Sequence, residues 1–270
     1  MQSVRCFVVS AMSVLGLFAL FSCQKRKEET HSLSEGERLV QESIQAHGGS
    51  EKWYGNGLLS FRWAYHMTDR GPEAVVDTSQ VVDPTTMAVV HEVPGQVLRF
   101  GMNEGQAWIH PKGAQFSPPP RFWALTPFYF IGIPFVFNDE KANFEKLLER
   151  KTFEGTDYDQ VKVTYDQGAG DTPDDYYVLL IDPESKLTRA AYYIVTSSLV
   201  GNGGPPVEKL ITLDGLTEVD GVMLSSGHRT FMMNGGKIAE KQMRFTEVSE
   251  LEFVPRGAVD LSIPEGAEKL

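Results

Sequence analysis

Leu59-Ser60-Phe61-Arg62-Trp63-Ala64-Tyr65-His66-Met67-Thr68 alternates without a break between large apolar residues and smaller or polar ones. A period of two is that of a β-strand, whose successive side chains point to opposite faces. Leu59, Phe61, Trp63, Tyr65 and Met67 therefore share one face, and a face so rich in rings has to be covered. Working outward, further strands are expected at 74–82, 86–92, 97–102, 106–110, 160–165, 176–181, 187–196, 207–218, 222–233 and 237–248. Asp83-Pro84, Asn103-Glu104-Gly105, Asp182-Pro183-Glu184-Ser185, Asp220-Gly221 and Asn234-Gly235-Gly236 supply the residues that tight turns need. These joints predict an antiparallel meander. No succession of strand, helix and strand occurs, which excludes a doubly wound parallel sheet.

Before this region, Ser34 and Glu37 have the spacing of a capping box, and Leu39, Val40 and Ile44 form an apolar stripe that Gly48-Gly49 ends. Ser50 can cap a second short turn carrying Trp53 and Tyr54. In mid-chain the 116–137 segment holds eight aromatic residues and five prolines but a single charge, Arg121. So many prolines forbid a membrane-spanning helix and predict a short, kinked, largely irregular stretch. Asn138 or Asp139 then caps an expected helix running to about Arg150, with Phe144, Leu147 and Leu148 on its apolar side.

At 270 residues the chain is read as one domain after its leader is removed. Hydrophobic residues make up 41% and charged residues 23%, values of an ordinary globular protein with a packed core. The net charge of −11 repels polyanions, so nucleic acid is excluded as a partner.

Arg5 precedes an apolar run from Cys6 to Ser22 that is shorter than a bilayer span and reads as a secretory signal peptide over residues 1–22. Leu20-Phe21-Ser22-Cys23 resembles the lipobox of bacterial lipoproteins, which implies acylation of Cys23 and a polar tether over 23–32. With Cys6 removed and Cys23 lipidated no free thiol remains, so disulfides, thiol catalysis and Cys-held metals are excluded. Gln24 stands where enterobacterial lipoproteins carry an inner-membrane retention Asp, and Lys27-Glu28-Glu29 resembles the surface-export signal of Bacteroidetes lipoproteins. Both resemblances imply an outer-membrane lipoprotein of the cell envelope, on its periplasmic or surface face.

Gln45-Ala46-His47-Gly48-Gly49 with Trp53, Asp182-Pro183 leading to Leu187, Asp220-Gly221-Val222-Met223-Leu224 and Ile263-Pro264-Glu265-Gly266-Ala267 together resemble an uncharacterised, DUF6503-like family of Bacteroidetes lipoproteins. That family is similar in pattern to the lipoprotein carriers of the LolA, LolB and LppX type. The resemblance implies an α+β fold over 33–270: a strongly curved antiparallel sheet forming an unclosed half-barrel, with helices covering its concave face around a hydrophobic cavity. It implies no catalytic residue and no cofactor. It departs from the soluble carriers in its own lipid anchor and in the 116–137 segment, which suits a fixed binder better than a shuttle.

Other chemistry is thin. Asp220, Ser225, Ser226 and His228 are the nearest approach to a hydrolytic set, but Ser226 and His228 on one strand stand about 7 Å apart and no G-x-S-x-G elbow occurs. The histidines form no pair at helical spacing; His66, His91 and His110 on different strands could meet only in three dimensions, and no metal site is expected. Gly201-Asn202-Gly203-Gly204-Pro205-Pro206 leads into a strand, so it lacks the geometry of a phosphate loop. The expected ligand-lining residues are Phe61, Trp63, Tyr65, Phe122, Trp123, Phe128, Phe130 and Phe135, facing an acyl chain, a lipid or a lipidated client. The alternatives are a non-catalytic interaction or scaffold module whose core these same rings close, and a hydrolase.

Overall fold

The computed structural model of the protein describes residues 32–166, 174–197, 199 and 206–270. The expected signal peptide, Cys23, the expected tether up to His31 and most of the glycine-rich loop after Val200 lie outside the described residues. Helix α1 (Glu35–Ala46) starts at the expected box: the Glu37 N–H donates to Ser34 Oγ at 3.2 Å, and the Ser34 N–H donates to the Glu37 carboxylate at 2.6 Å. Its buried stripe is Leu39, Val40 and Ile44. The short α2 (Ser50–Gly55) buries Trp53. Between them the chain turns at Gly48, whose φ is +115° and where a Cβ would lie 2.2 Å from the carbonyl oxygen of Gly221, so only glycine fits.

The strands are β1 (Leu58–His66), β2 (Val75–Val82), β3 (Val89–Glu92), β4 (Arg99–Asn103) and β5 (Gln106–His110), then β6 (Ala142–Lys146), β7 (Lys151–Phe153), β8 (Thr156–Tyr165) and β9 (Tyr177–Ile181). They continue with β10 (Thr188–Tyr193), β11 (Lys209–Thr212), β12 (Thr217–Val219), β13 (Val222–Leu224), β14 (Gly227–Asn234), β15 (Lys237–Val254) and β16 (Glu268–Lys269). All but the β12–β13 hairpin join one antiparallel sheet in the order β16-β5-β4-β3-β2-β1-β15-β14-β11-β10-β9-β8-β6, with β7 pairing a further part of β8. The two ends do not pair, so the half-barrel stays open. Register shifts interrupt β1 against β15 between Ser60 and Arg62, β14 against β15 at two places, and β9 against β10. Each extra residue bends and twists its strand, which curves the sheet. At the first of them Glu250 carries φ 55°.

Alternation fixes what faces inward. Phe61, Gln80, His91, Phe100 and Ile109 stand opposite one another across β1 to β5, and Val163, Tyr177, Tyr193 and Lys209 do so across β8 to β11. The main core lies on this face, under α1, α2 and the 116–137 segment. A smaller cluster on the other face gathers Tyr158, Leu180, Ala190, Leu210, Phe231 and Met233.

Three expectations are corrected. The helix expected from 139 to 150 is strand β6, paired with β8 from Ala142 opposite Tyr165 to Lys146 opposite Val161. Phe144, Leu147 and Leu148 do not share a buried face: Leu148 is 102% exposed in the hairpin that follows. The expected strand 207–218 is two, β11 and β12, and 222–233 divides into β13 and β14. The irregular mid-chain segment contains two short helices, α3 (Pro120–Trp123) and α4 (Thr126–Ile131), and a 3₁₀ turn at Phe135–Phe137. Pro120 and Pro127 sit where a helix tolerates them, in the first turns of α3 and α4.

Candidate functional site

Seven of the eight expected lining residues meet in one body of rings. Phe61 and Trp63 project from β1 and are buried, while Tyr65 is half-buried further along. The mid-chain segment lies over them as a plug. Trp123 packs on Tyr65 with ring centres 5.5 Å apart, and Phe130 lies between Trp63 at 6.5 Å and Tyr193 at 5.1 Å. Deeper in, Trp53 of α2 stacks on Phe135 at 4.7 Å and on Phe128 at 5.9 Å. Phe122 is half-buried at the margin of the same core, with no ring stacking of its own among the described residues. The plug does not extend the sheet. One buried polar tie holds it there: His91 Nε2–H donates to the Ala124 carbonyl at 2.8 Å, while His91 Nδ1 accepts from the Thr78 hydroxyl at 3.1 Å. Burial without an acid partner pushes the His91 imidazole down to about 4, so it stays neutral.

Polar groups interrupt this apolar interior. Gln80 is 2% exposed, opposite Phe61 and His91, and neither its amide N–H₂ nor its carbonyl has a hydrogen-bond partner among the described residues. The indole N–H groups of Trp63, 1% exposed, and Trp123, 4% exposed, are also unpartnered. A buried donor or acceptor left unpaired costs about 1–3 kcal/mol, and the Trp108 indole, buried outside the plug contacts, is unpartnered as well. Two open depressions among the described residues lie elsewhere. One of about 560 Å³ runs between Leu58, Asp83, Asn103 and Arg256, the other of about 430 Å³ between Phe153, Phe231 and Ile238. The interior under the plug is filled by the plug itself.

The chain superposes on a LolA superfamily protein from Nitrosomonas europaea with a TM-score of 0.51 over 82% of this chain and 94% of that one, at 7% identity. The fold is LolA-like. A putative outer membrane lipoprotein-sorting protein domain from Vibrio parahaemolyticus aligns with TM-score 0.43 at 13% identity, covering 80% of this chain and 91% of that one. A DUF1329 family protein from Desulfovibrio piger aligns with 0.47 at 11% identity, covering 82% and 94%. By sequence, residues 124–204 match the model of a family of unknown function, DUF6503. No curated protein matches the chain. Of the motifs that carried the resemblance, the Asp182-Pro183 turn and Leu187 fall inside the matched window.

The LolA-like sheet also decides the remaining chemistry. Ser225, not Ser226, reaches His228: its hydroxyl donates to Nε2 at 3.1 Å, and Nδ1–H donates to the Thr212 carbonyl at 2.7 Å. Strand alternation did not find this contact because Ser225 and Ser226 sit in the break between β13 and β14. Burial pushes the His228 imidazole to about 4, which makes it a weak base. Asp214 turns to Arg229 and Thr212, and Asp220 sits in the β12–β13 turn, so no triad forms. His91 faces the core while His66 and His110 alternate to the opposite face, so the three cannot share a metal. Among the described residues no three His, Cys, Asp or Glu side chains are grouped to hold a metal, and no helix is long and apolar enough to cross a membrane. His47, one residue of the Gln45–Gly49 motif, is a latch: Nδ1–H donates to the Met223 carbonyl at 2.9 Å, and the Thr188 N–H donates to Nε2 at 3.1 Å. Only the sheet's topology brings those partners to it.

Proposed function

We propose that the protein is a cell-envelope lipoprotein, anchored through Cys23, that binds the acyl chains of a lipid or of a lipidated client in its LolA-like interior, and that it binds rather than catalyses. The observation that carries this reading is the set of buried, unpartnered polar groups where the plug meets the sheet, the Gln80 amide and Trp63 indole of the sheet and the Trp123 indole of the plug. Ester carbonyls at the head of an acyl chain would accept from those N–H groups while the chain slides between the plug rings and Phe61 and Trp63. The plug suits displacement because it is one segment, tied to the sheet by ring packing and few hydrogen bonds. The competing reading, a scaffold module with a permanently closed core, leaves those polar groups to buried water.

Uptake of a fluorescent fatty acid or phospholipid analogue by the purified, delipidated protein tests it. The native protein is expected to bind and to melt at a higher temperature with the probe present. Trp123→Ala and Phe130→Ala are expected to weaken binding by roughly tenfold each while the protein stays folded, since each ring deleted removes about 1–2 kcal/mol of ligand contact. No uptake by the native protein, with a large loss of stability in both variants, would make the interior a closed core. The anchor has its own check. Cys23→Ala is expected to abolish incorporation of labelled palmitate and to release the protein from the membrane fraction; labelling that survives the change would remove the lipoprotein assignment.

A further inference from the structure

The β8-to-β11 end of the interior carries an unexpected cation. Lys209 stands opposite Tyr193 on β10 and Met232 on β14, so its side chain leaves the sheet on the face that holds the core. It is half-buried and makes no hydrogen bond or ion pair among the described residues. Its electrostatic neighbours are Arg244, Asp69 and Arg70. Arg244 lies two strands away on the same face, and its Nε and Nη2 hold Asp69 at 2.9 and 2.8 Å while Nη1–H donates to the Tyr65 hydroxyl at 3.0 Å. One carboxylate thus answers three cations. The cluster keeps a local excess of positive charge in a chain whose net charge is −11.

Its position relative to the plug gives the charge a use. Tyr193, the cross-strand neighbour of Lys209, is the ring on which Phe130 packs, and Tyr65, bonded by Arg244, is the ring on which Trp123 packs. A group held between Lys209 and Arg244 would therefore have its attached chain directly against the plug.

We infer that Lys209, with Arg244 behind it, is the headgroup site of the ligand, and that the ligand is an anionic amphiphile whose carboxylate or phosphate sits there while its acyl chain enters beneath Phe130 and Trp123. This rests on the acyl-binding reading above and specifies its substrate class. A strongly hydrated ammonium kept half-buried without a partner is unfavourable until an anion completes it. Burial and the neighbouring guanidinium hold the Lys209 amine below its usual range, and an arriving anion reverses that direction.

Calorimetric titration of the delipidated protein with an 18-carbon fatty acid, the matching fatty alcohol and inorganic phosphate tests the inference. The acid is expected to bind about tenfold more tightly than the alcohol, a typical gain for one partly desolvated charge pair. Phosphate alone is expected to show no binding at millimolar concentration. Lys209→Gln should bring the acid-to-alcohol ratio close to one, and Lys209→Arg, which keeps the charge, should retain most of the preference. Equal affinities for acid and alcohol in the native protein, or an unchanged ratio in Lys209→Gln, would overturn the headgroup site while leaving the acyl-binding reading standing. Phosphate binding as tight as the acid would make this a site for free anions and overturn the inference. Failure of both chains to bind would remove the acyl-binding reading, and the headgroup site with it.

Discussion

Lowering the pH from 7 to 4 is expected to cost about 3 kcal/mol of folding stability for each of His91 and His228, enough together to approach the whole stability of a typical domain. Both imidazoles are buried and held neutral, with pKa values near 4 against about 6.5 in an unfolded chain. Above pH 6.5 neither state binds the proton and these groups leave stability unchanged. Between 6.5 and about 4 the unfolded chain takes up protons that the native protein refuses, so stability falls with falling pH. Below about 4 both states are protonated and these two groups cost nothing further. Burial moves His47 in the same direction. The lowered carboxyls of Asp69, Asp182 and Asp214 act in a separate window, because an unfolded Asp begins to protonate only around its ordinary value of 3.8. Urea unfolding at a series of pH values reads the effect as a fall in midpoint between pH 6.5 and 4. His91→Gln, which can keep the donor to Ala124, and His228→Asn, which can keep the donor to Thr212, should each flatten that slope by about half. A midpoint constant down to pH 4 would mean that these histidines are open to water.

Trp53→Ala is expected to be the most damaging single ring deletion, at about 3–5 kcal/mol, or a fall of roughly 10 °C or more in melting temperature. Trp53 is 1% exposed and joins three parts of the molecule. It stacks on Phe135 with planes 7° apart, stacks on Phe128 of α4 and meets Phe253 of β15 edge-on at 6.2 Å. Its loss therefore leaves a cavity where α2, the plug and the central strand pair come together. Phe135→Ala added to Trp53→Ala should cost less than its effect alone, by about 0.5–1.5 kcal/mol, because the stacking partner is already gone. Calorimetric melting of the two single variants and the double variant measures this coupling. Additive losses would mean that the two rings do not support each other.

The stretch from Leu59 gave a correct strand as far as His66 and a correct inward face, because the pleat is a local property of backbone geometry, while Met67 and Thr68 lie past the strand's end. The Ser34 and Glu37 cap was legible for the same reason, since its hydrogen bonds close within four residues. Aromatic density in the 116–137 segment marked it as interior material without indicating how it folds. The 139–150 region misled because Phe144, Leu147 and Leu148 share a helical spacing, whereas Ala142–Lys146 pairs with β8 residues 15 to 23 positions further on, beyond the reach of a local pattern. Gly36 of α1, where a Cβ would lie 2.8 Å from the Phe144 carbonyl, shows how closely the helix lies on that edge strand, and no local pattern announces it.

The sequence by itself determined an antiparallel meander with a few short helices, because alternation, caps and turn residues act over a handful of positions, whereas the curved, open half-barrel was implied only by the family resemblance. It determined which residues would be buried on the central strand and that one aromatic segment would join them. Only the tertiary structure decided that the segment fills the interior as a plug, that Gln80 and Trp63 beneath it and Trp123 within it are left unpaired, and that Lys209 emerges beside Arg244 where the plug meets Tyr65 and Tyr193. The physical reason is register: in so broad a sheet, the strand that lies opposite each residue is set by packing and by bulges such as the one at Glu250, and those depend on contacts between residues far apart in the chain.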